Sequence, residues 1–437
     1  MSVQSGTLGL LSGIIRGPAG GTRDDVRSSL RLINASWLTV FASIGLSLVG
    51  IYAIDVAETV RPEGVVDLAP TAWKQVVFAI VGMLAATIIA LPHYRVLAMI
   101  AWPLIAGLFF ALILLLVPVL PESIAPVRSG ARSWYDLGPA SFQPSEFAKL
   151  AFVLVVAQYL RYRTKHRQFT GLIVPGLIAA IPVGLITLQP DLGTASLYVP
   201  ALFAMLIAAG ARLRHLSIIV LCAALAAPAA YPFLKPHQKT RIVGMLKAIE
   251  GDEATAHDIN FQAFTAQTLI GAGQATGAPS SAARALVHYN ALPERHNDMV
   301  FAVIVTRFGF WGGLGVIVLF LVWIGGCLLV AGSCKEPMGR LIAVGLPAFV
   351  AAQMVINIGM NLGLAPIIGI TLPFVSYGGS SLLACWMMVG LVVNVALHKP
   401  RPPFRQSFEY PDDDERTPFG SGKYGRSIGF SGRAVTR

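Results

Sequence analysis

Long apolar runs free of charged residues constrain the fold of this chain more than any other feature. A helix needs roughly 20 apolar residues to cross about 30 Å of hydrocarbon. Ten runs approach that length, near residues 36–56, 73–91, 96–119, 147–160, 171–188, 194–210, 215–234, 311–332, 341–363 and 380–398. One water-soluble core could not bury so many, so the sequence predicts an all-α polytopic membrane protein with about ten transmembrane helices. Residues 300–310 would be an interfacial extension of the eighth span.

Composition supports a membrane protein and argues against nucleic-acid binding. Hydrophobic residues make up 55% of the chain, charged residues 13%, and the mean hydropathy is +0.67. The net charge of +11 comes from Lys and Arg in short clusters between the apolar runs, as in cytoplasmic loops. No nucleic-acid partner is expected. The four cysteines show no CxxC spacing and no nearby His, so neither a zinc site nor a disulfide is indicated.

Positive charge predicts the orientation. The clusters precede span one and follow spans four, six, eight and ten, at Arg16, Arg23, Arg27, Arg31, Arg161, Arg163, Lys165, Arg167, Arg212, Arg214, Lys335, Arg340, Lys399 and Arg401. They share one side only if the count of ten is right. The positive-inside rule then makes both termini cytoplasmic and places a large loop, 235–299, outside between spans seven and eight.

The chain therefore divides into three parts. Residues 1–35 form a cytoplasmic segment with no evident signal-peptide cleavage site, and 36–398 form the ten-span membrane domain. Residues 399–437 are polar, rich in Pro and Gly, and are expected to be a disordered cytoplasmic tail.

Residues 292–298, LPERHND, gather Glu, Arg, His and Asp just before an apolar helix on the outer side. Partial desolvation there would raise the pKa of Asp298 toward that of a general base. The alternative is a solvated turn in which Asn297 or Asp298 is the N-cap.

A second polar segment, residues 130–149, reads GARSWYDLGPASFQPSEFAK. Ser145 is a candidate N-cap for span four. Glu146 and Lys149 lie three apart on one helix face, so they could form a salt bridge with each other instead of binding substrate. Trp134 could belong to an interfacial aromatic belt or contact a substrate.

Two further polar segments interrupt the outer ends of later spans. In LQPDLGT, Asp191 either caps span six or faces the site. Gln353, Asn357 and Asn361, four apart on span nine, could simply bond neighbouring helices. Residues 378–381, GGSS, begin span ten and would offer free backbone N–H groups of the kind that bind phosphate.

These stretches, in this order, resemble the signature segments of the SEDS family of shape, elongation, division and sporulation proteins, typified by RodA and FtsW. The resemblance covers roughly residues 36–398 through GARSWYDLG, FQPSEFAKLA, LQPDLGTA, LPERHNDMVFAV and ITLPFVSYGGSS. It implies a peptidoglycan glycosyltransferase in the bacterial cytoplasmic (inner) membrane that polymerises lipid II on the outer face. It also implies a class B penicillin-binding protein as partner, beside membrane lipids.

The resemblance assigns roles to individual residues. Asp298 would be the general base. Substrate-binding residues would be Arg132, Trp134, Glu146, Lys149, Asp191, Arg241, Glu294, Arg295, His296, Ser376, Gly378, Gly379 and Ser380. No cofactor is required by the sequence, although Mg²⁺ or Mn²⁺ could assist at a diphosphate leaving group.

Two departures from the family pattern keep alternatives open. The Gly-Thr-Gln expected in the outer loop is replaced near 271–284, and Thr306-Arg307 stand where an acidic pair is usual. These favour a non-catalytic scaffold that recruits the transpeptidase. A lipid flippase is the other alternative, but it would need polar residues through the cytoplasmic half of the spans. A role in elongation or in division is left open.

Overall fold

The computed structural model describes residues 35–58, 67–117, 120–128, 131–138, 140–163, 167–233, 239, 243–244 and 261–398. Most of the N-terminal segment, the whole tail and Arg241 lie outside the described residues. The predictions made for them stay predictions.

The described chain is almost entirely helical. Its helices are α1 Ser36–Glu58, α2 Pro70–Ala90, α3 Tyr94–Leu116, α4 Pro144–Leu160, α5 Ile173–Leu188, α6 Leu192–Ser196, α7 Tyr198–Ala209, α8 Leu213–Ala230, α9 Phe261–Gly273, α10 Ser280–Tyr289, α11 Val300–Ser333, α12 Pro337–Asn361 and α13 Gly379–Leu397. One small antiparallel hairpin, β1 Tyr135–Asp136 with β2 Ser141–Phe142, precedes α4. The predicted all-α polytopic fold is confirmed.

Each predicted span has a helical counterpart. Within the described residues, eight helical segments are long and apolar enough to cross a membrane. The two that fall short are α4, with 17 residues, and α8, whose apolar part is Leu213–Ala226. The count of ten spans therefore stays a prediction.

Small residues bring the helices of the bundle close together. A Cβ on Gly390 of α13 would lie 2.5 Å from the carbonyl oxygen of Ala86 in α2. A Cβ on Gly50 of α1 would lie 2.4 Å from the carbonyl oxygen of Val375. Since water provides no driving force for association between helices within lipid, such close backbone packing is what holds them together.

The described part of the outer loop packs on the end of α1. A second hydrophobic cluster joins α1, α9, α10 and the start of α11, at Val56, Ala57, Ala266, Leu269, Ala283, Val287, Leu292, Met299, Ala302 and Val303. Beside it, Arg284 of α10 forms a buried ion pair with Asp55 of α1 and donates from Nη1 to the Asp55 carbonyl at 2.7 Å. This contact fixes the loop to the first span.

The segment 300–310 is the beginning of α11, and most of it is buried. Residues 300–306 are buried, and the helix breaks at Gly309, where φ is 69°. At the break the outer loop returns to the helix: Phe310 N donates to the Gln274 carbonyl at 2.8 Å, and Ala278 N donates to the Thr306 carbonyl at 2.9 Å. A Cβ on Gly309 would lie 2.4 Å from the Ala275 oxygen. Only glycine fits both this φ and this contact.

Two predicted helix caps are wrong. Helix α4 begins at Pro144 after Gln143, with no side-chain cap, and Ser145 is buried inside its first turn. Helix α11 begins at Val300 after Met299, so neither Asn297 nor Asp298 is its N-cap. Pro144 fits the first helical position because it has no N–H to satisfy there and its φ is fixed near the helical value, so the helix begins before Ser145.

The predicted orientation can be tested by cysteine labelling. The exposed native Cys222 is first changed to Ser. Intact cells expressing Tyr289→Cys, a position 79% exposed on the outer loop, should react with an impermeant maleimide. Cells expressing Lys165→Cys should react only after permeabilisation, because the positive loops lie inside. Labelling of Lys165→Cys in intact cells would show that the predicted orientation is wrong.

Candidate functional site

Three consecutive backbone carbonyls of the LPERHND loop are held in place by other segments. The His296 carbonyl accepts from Tyr377 N at 2.8 Å. The Asn297 carbonyl accepts from Ser376 Oγ at 2.7 Å. The Asp298 carbonyl accepts from two side-chain amides of α12. The backbone around Asp298 is therefore rigidly placed, and Asp298 itself is half-buried.

The amides that hold Asp298 belong to a polar row on α12. Asn357 Nδ2 and Asn361 Nδ2 each donate to the Asp298 carbonyl at 2.9 Å. One turn further into the bundle, Gln353 Oε1 accepts from Lys149 Nζ at 3.4 Å. The predicted stacking on one face is confirmed, and the three side chains are buried. Eight residues of helix rise about 12 Å, so the row connects Asp298 with Lys149.

The LQPDLGT turn and Asp298 both lie against residues 368–370. A Cβ on Gly193 would lie 2.7 Å from the Ile368 carbonyl oxygen, and one on Gly369 would lie 3.6 Å from Asp298 Oδ2. The Ile370 carbonyl accepts from Asn357 Nδ2 at 2.7 Å. Segments far apart in sequence thus converge on one side of the bundle.

Lys149 and Glu146 form the salt bridge that their spacing predicted. Lys149 Nζ lies 2.8 Å from a Glu146 carboxylate oxygen, and both side chains are nearly inaccessible, at 0% and 6%. Buried Ser145 Oγ and Gln189 Oε1 have no hydrogen-bond partner among the described residues. A buried polar group needs a partner, so these two oxygens are suited to bind polar ligand atoms or water.

Asp191 acts as a helix cap. Its Oδ1 accepts from Thr194 N at 3.0 Å at the start of α6, as the capping alternative predicted. Burial raises the pKa of the Asp191 carboxyl, while the hydrogen bond from Thr194 and the charge of Lys149 lower it. The role of Asp191 in substrate binding stays a prediction.

The glycine turn before α13 is less open than predicted. Gly378 N donates to Gln75 Oε1 at 3.3 Å, so this N–H is not free. Gln75 Nε2 also donates to the Ser376 carbonyl at 3.0 Å. Ser380 Oγ donates to the Ser141 carbonyl and accepts from Gln143 N at 3.1 Å. The turn is therefore a structural junction between α2, the hairpin and α13.

Gln75 was missed in the sequence. It is buried, at 1% exposure, in a helix that is otherwise apolar after its first turn. A lone amide in an apolar span is the signal that could have found it, because such a group must bond to something inside the protein.

The charged residues of the LPERHND loop occupy different environments. Glu294 is exposed and its Oε2 accepts from Asn297 Nδ2 at 2.7 Å. Burial, and next the charge of Arg295, lowers the pKa of His296. His296 is therefore neutral at pH 7 and contributes no charge to the site.

Two of the remaining predicted binding residues lie in the segment before the hairpin. Arg132 and Trp134 are half-buried in the segment before the hairpin, and Arg128 lies 5.9 Å from the Trp134 ring centroid. Arg241 lies outside the described residues.

Thr306 and Arg307 have structural partners. Thr306 Oγ1 donates to the Leu269 or Ala302 carbonyl, at 3.1 and 2.8 Å. Arg307 Nε donates to the Tyr52 hydroxyl at 2.9 Å, and its Nη1 donates to the Ala278 carbonyl at 3.1 Å. The pair holds the outer loop to α1 and α11. The departure from the family pattern therefore concerns two residues that support the loop, and Asp298 itself is present.

A metal centre has no obvious ligand set in the described part of the chain, where no group of three or more His, Cys, Asp or Glu residues could hold an ion. Assistance by Mg²⁺ or Mn²⁺ stays a prediction.

Known proteins are similar in sequence along most of the chain. Stage V sporulation protein E of Bacillus subtilis is 34% identical over 325 residues, which are 74% of this chain and 86% of that protein. The probable peptidoglycan glycosyltransferase FtsW of Thioalkalivibrio sulfidiphilus is 32% identical over 86% of this chain and 92% of its own length.

A solved structure has the same fold. It concerns the structural coordination of polymerization and crosslinking by a peptidoglycan synthase complex, and one of its chains is 30% identical, with a TM-score of 0.68. The match covers 82% of this chain and 97% of that chain.

The family model for the cell cycle proteins FtsW, RodA and SpoVE matches residues 34–401, which include every segment that converges near Asp298. The chain belongs to the FtsW/RodA/SpoVE family.

Proposed function

We propose that the chain is a peptidoglycan glycosyltransferase that polymerises lipid II at the outer face of the cytoplasmic membrane, with Asp298 as general base. The single observation that carries the proposal is the rigid placement of Asp298, whose backbone and both preceding carbonyls are held by α12 and the loop before α13. A base must be held at a fixed position to take a proton as the new bond forms.

The reaction joins an acceptor sugar hydroxyl to the anomeric carbon of a second sugar. The Asp298 carboxylate takes the hydroxyl proton, the oxygen forms the new glycosidic bond, and the bond to the polyprenyl diphosphate breaks. Negative charge grows on the departing diphosphate, which needs cations or N–H donors. Lys149, Arg295 and Arg241 are the proposed cations.

Relatives support both the chemistry and the partner. One is named a probable peptidoglycan glycosyltransferase. The solved complex concerns coordinated polymerization and crosslinking. We therefore propose a class B penicillin-binding protein as the crosslinking partner of this chain. We also propose that both termini of this chain lie in the cytoplasm.

A flippase is disfavoured by where the polar row stops. On α12 it begins at Asn361 and ends at Gln353, and residues 341–352 towards the other end are apolar. A transport path would need polar groups along this half as well. The scaffold alternative loses its best argument, since Thr306 and Arg307 serve the packing of the loop.

Asp298→Asn should abolish polymerisation of lipid II by the purified chain and its partner, with a loss of about 10² to 10⁴ in turnover. Asn preserves the shape of the side chain and cannot accept the proton, so yield and partner binding should be unchanged. Glycan products from lipid II, run on gels, give the rate.

Asp136→Asn is the matched control, because Asp136 is also an outer-face carboxylate but pairs with Arg128 on the hairpin. It should retain activity. Full glycan synthesis by the Asp298→Asn chain, in a preparation free of other polymerases, would remove Asp298 as the base, whereas no synthesis by the wild type with its partner would favour the scaffold.

Charge neutralisation separates two roles for Lys149. Lys149→Met and Glu146→Gln should each lower the yield of folded protein, since breaking a buried pair leaves one uncompensated charge and costs about 3 to 5 kcal/mol. The double variant contains neither charge and should recover yield. If Lys149 stabilises the diphosphate, the double variant should still be inactive.

Detergent-extracted yield and turnover are measured for all three variants and the wild type. Recovery of turnover together with yield in the double variant would show that the pair serves folding alone. Lys149 would then be removed from the proposed substrate contacts.

A further inference from the structure

The start of α11 departs from regular helical hydrogen bonding next to Asp298. In an α-helix the N–H of residue 302 would bond to the carbonyl of residue 298. Here Ala302 N donates to Asn361 Oδ1 at 3.1 Å and to the Met299 carbonyl at 3.2 Å. The Asp298 carbonyl accepts from Nδ2 of that same Asn361 at 2.9 Å. One side-chain amide thus connects the two groups that a helix would join directly.

Burial keeps this amide in place. Asn361 is 0% exposed, and its Nδ2 also donates to the Asn357 carbonyl at 2.9 Å. Removing a buried amide from its partners costs free energy because no water can replace them. The inserted amide is therefore a fixed part of the structure.

The insertion determines where the helix begins. Helix α11 starts at Val300 after Met299, which leaves Asp298 in a turn. Each residue of a helix turns the side-chain direction by about 100°, so winding residue 298 into the helix would change the direction of its side chain. In the turn, Asp298 Oδ2 lies beside Gly369, where an added Cβ would be 3.6 Å away.

We infer that Asn361 is a positioning residue that holds Asp298 outside α11 by replacing the hydrogen bond between residues 298 and 302. This inference deepens the proposed function, and the turnover measurement that tests it rests on that function. The position of residue 298 can be measured separately from activity.

Leucine is the test substitution, because Asn361→Leu has a similar volume and no hydrogen-bonding groups. Ala302 N is then free to bond to the Asp298 carbonyl. Turnover on lipid II should fall about 10- to 100-fold with KM changed less than about threefold, since a misplaced base affects the chemical step and not substrate binding.

Thiol reactivity reports the position of residue 298 without activity. In a Cys222→Ser background, Asp298→Cys is labelled with a water-soluble maleimide, alone and combined with Asn361→Leu. Labelling should slow at least fivefold in the combination. Labelling of Tyr289→Cys, on the same outer loop, should be unaffected by Asn361→Leu. The buried native Cys327, Cys334 and Cys385 should stay unlabelled, which shows that the protein is still folded.

Asn394→Leu is the matched control. Asn394 is a buried amide of α13 that donates to the Ile89 carbonyl at 2.6 Å and to the Pro92 carbonyl, away from Asp298. It should lower stability comparably and leave both KM and the reactivity at 298 unchanged. Asn361→Asp is the conservative variant, because a neutral buried carboxylic acid can still accept from Ala302 N and donate to the Asp298 carbonyl. It should restore much of the labelling rate.

Unchanged labelling at 298 in folded Asn361→Leu protein would overturn the inference. If that variant does not fold, as judged by labelling of the buried cysteines, Asn361→Asp decides instead. An ionised carboxylate cannot donate to the Asp298 carbonyl, so the labelling rate at 298 relative to that at Tyr289→Cys should fall as the pH rises, and a ratio that does not change with pH would overturn the inference too. Retained activity in Asp298→Asn would instead contradict the proposed function, and the labelling result would stand.

Discussion

The requirement that buried amides be fully hydrogen-bonded organises the site. Asn357 and Asn361 are completely buried on a membrane helix, and between them they hold carbonyls of the LPERHND loop and of Ile370. Hydrocarbon offers no alternative partner for such groups. The amides therefore determine the path of two loops at once, and the position of Asp298 follows from a constraint that also stabilises the fold.

Much of the fold was predictable from the sequence because membrane spans are read from length and polarity. The ten apolar runs have helical counterparts, and the Glu146–Lys149 pair followed from helical spacing alone. Family resemblance also identified the segments that converge. What connects them was harder to predict, since the side chains of Ser376 and Gln75 bond to backbone carbonyls and Tyr377 donates its own backbone N–H, and one sequence does not reveal such partners.

The two incorrect helix caps have related physical causes. Preferences for Ser, Asn and Asp describe helices whose first turn faces water. At α4, Pro144 begins the helix and the first turn is buried against other spans. At α11, an amide from another helix occupies the place that a local cap would take. Tertiary contacts thus replaced the local signal, and one sequence contains no record of which distant residue does so.

The junction between the outer loop and the break in α11 has a consequence for how sequences of this fold diverge. Its hydrogen bonds join backbone to backbone, from Phe310 to Gln274 and from Ala278 to Thr306. Such bonds are indifferent to side chains, whereas the close approach at Gly277 and Gly309 leaves no room for a Cβ. At this junction, substitution is therefore limited by side-chain volume at Gly277 and Gly309, whereas the backbone bonds made by Gln274 and Ala278 tolerate other side chains. A sequence motif at this junction can therefore change while the fold that depends on these backbone bonds is retained.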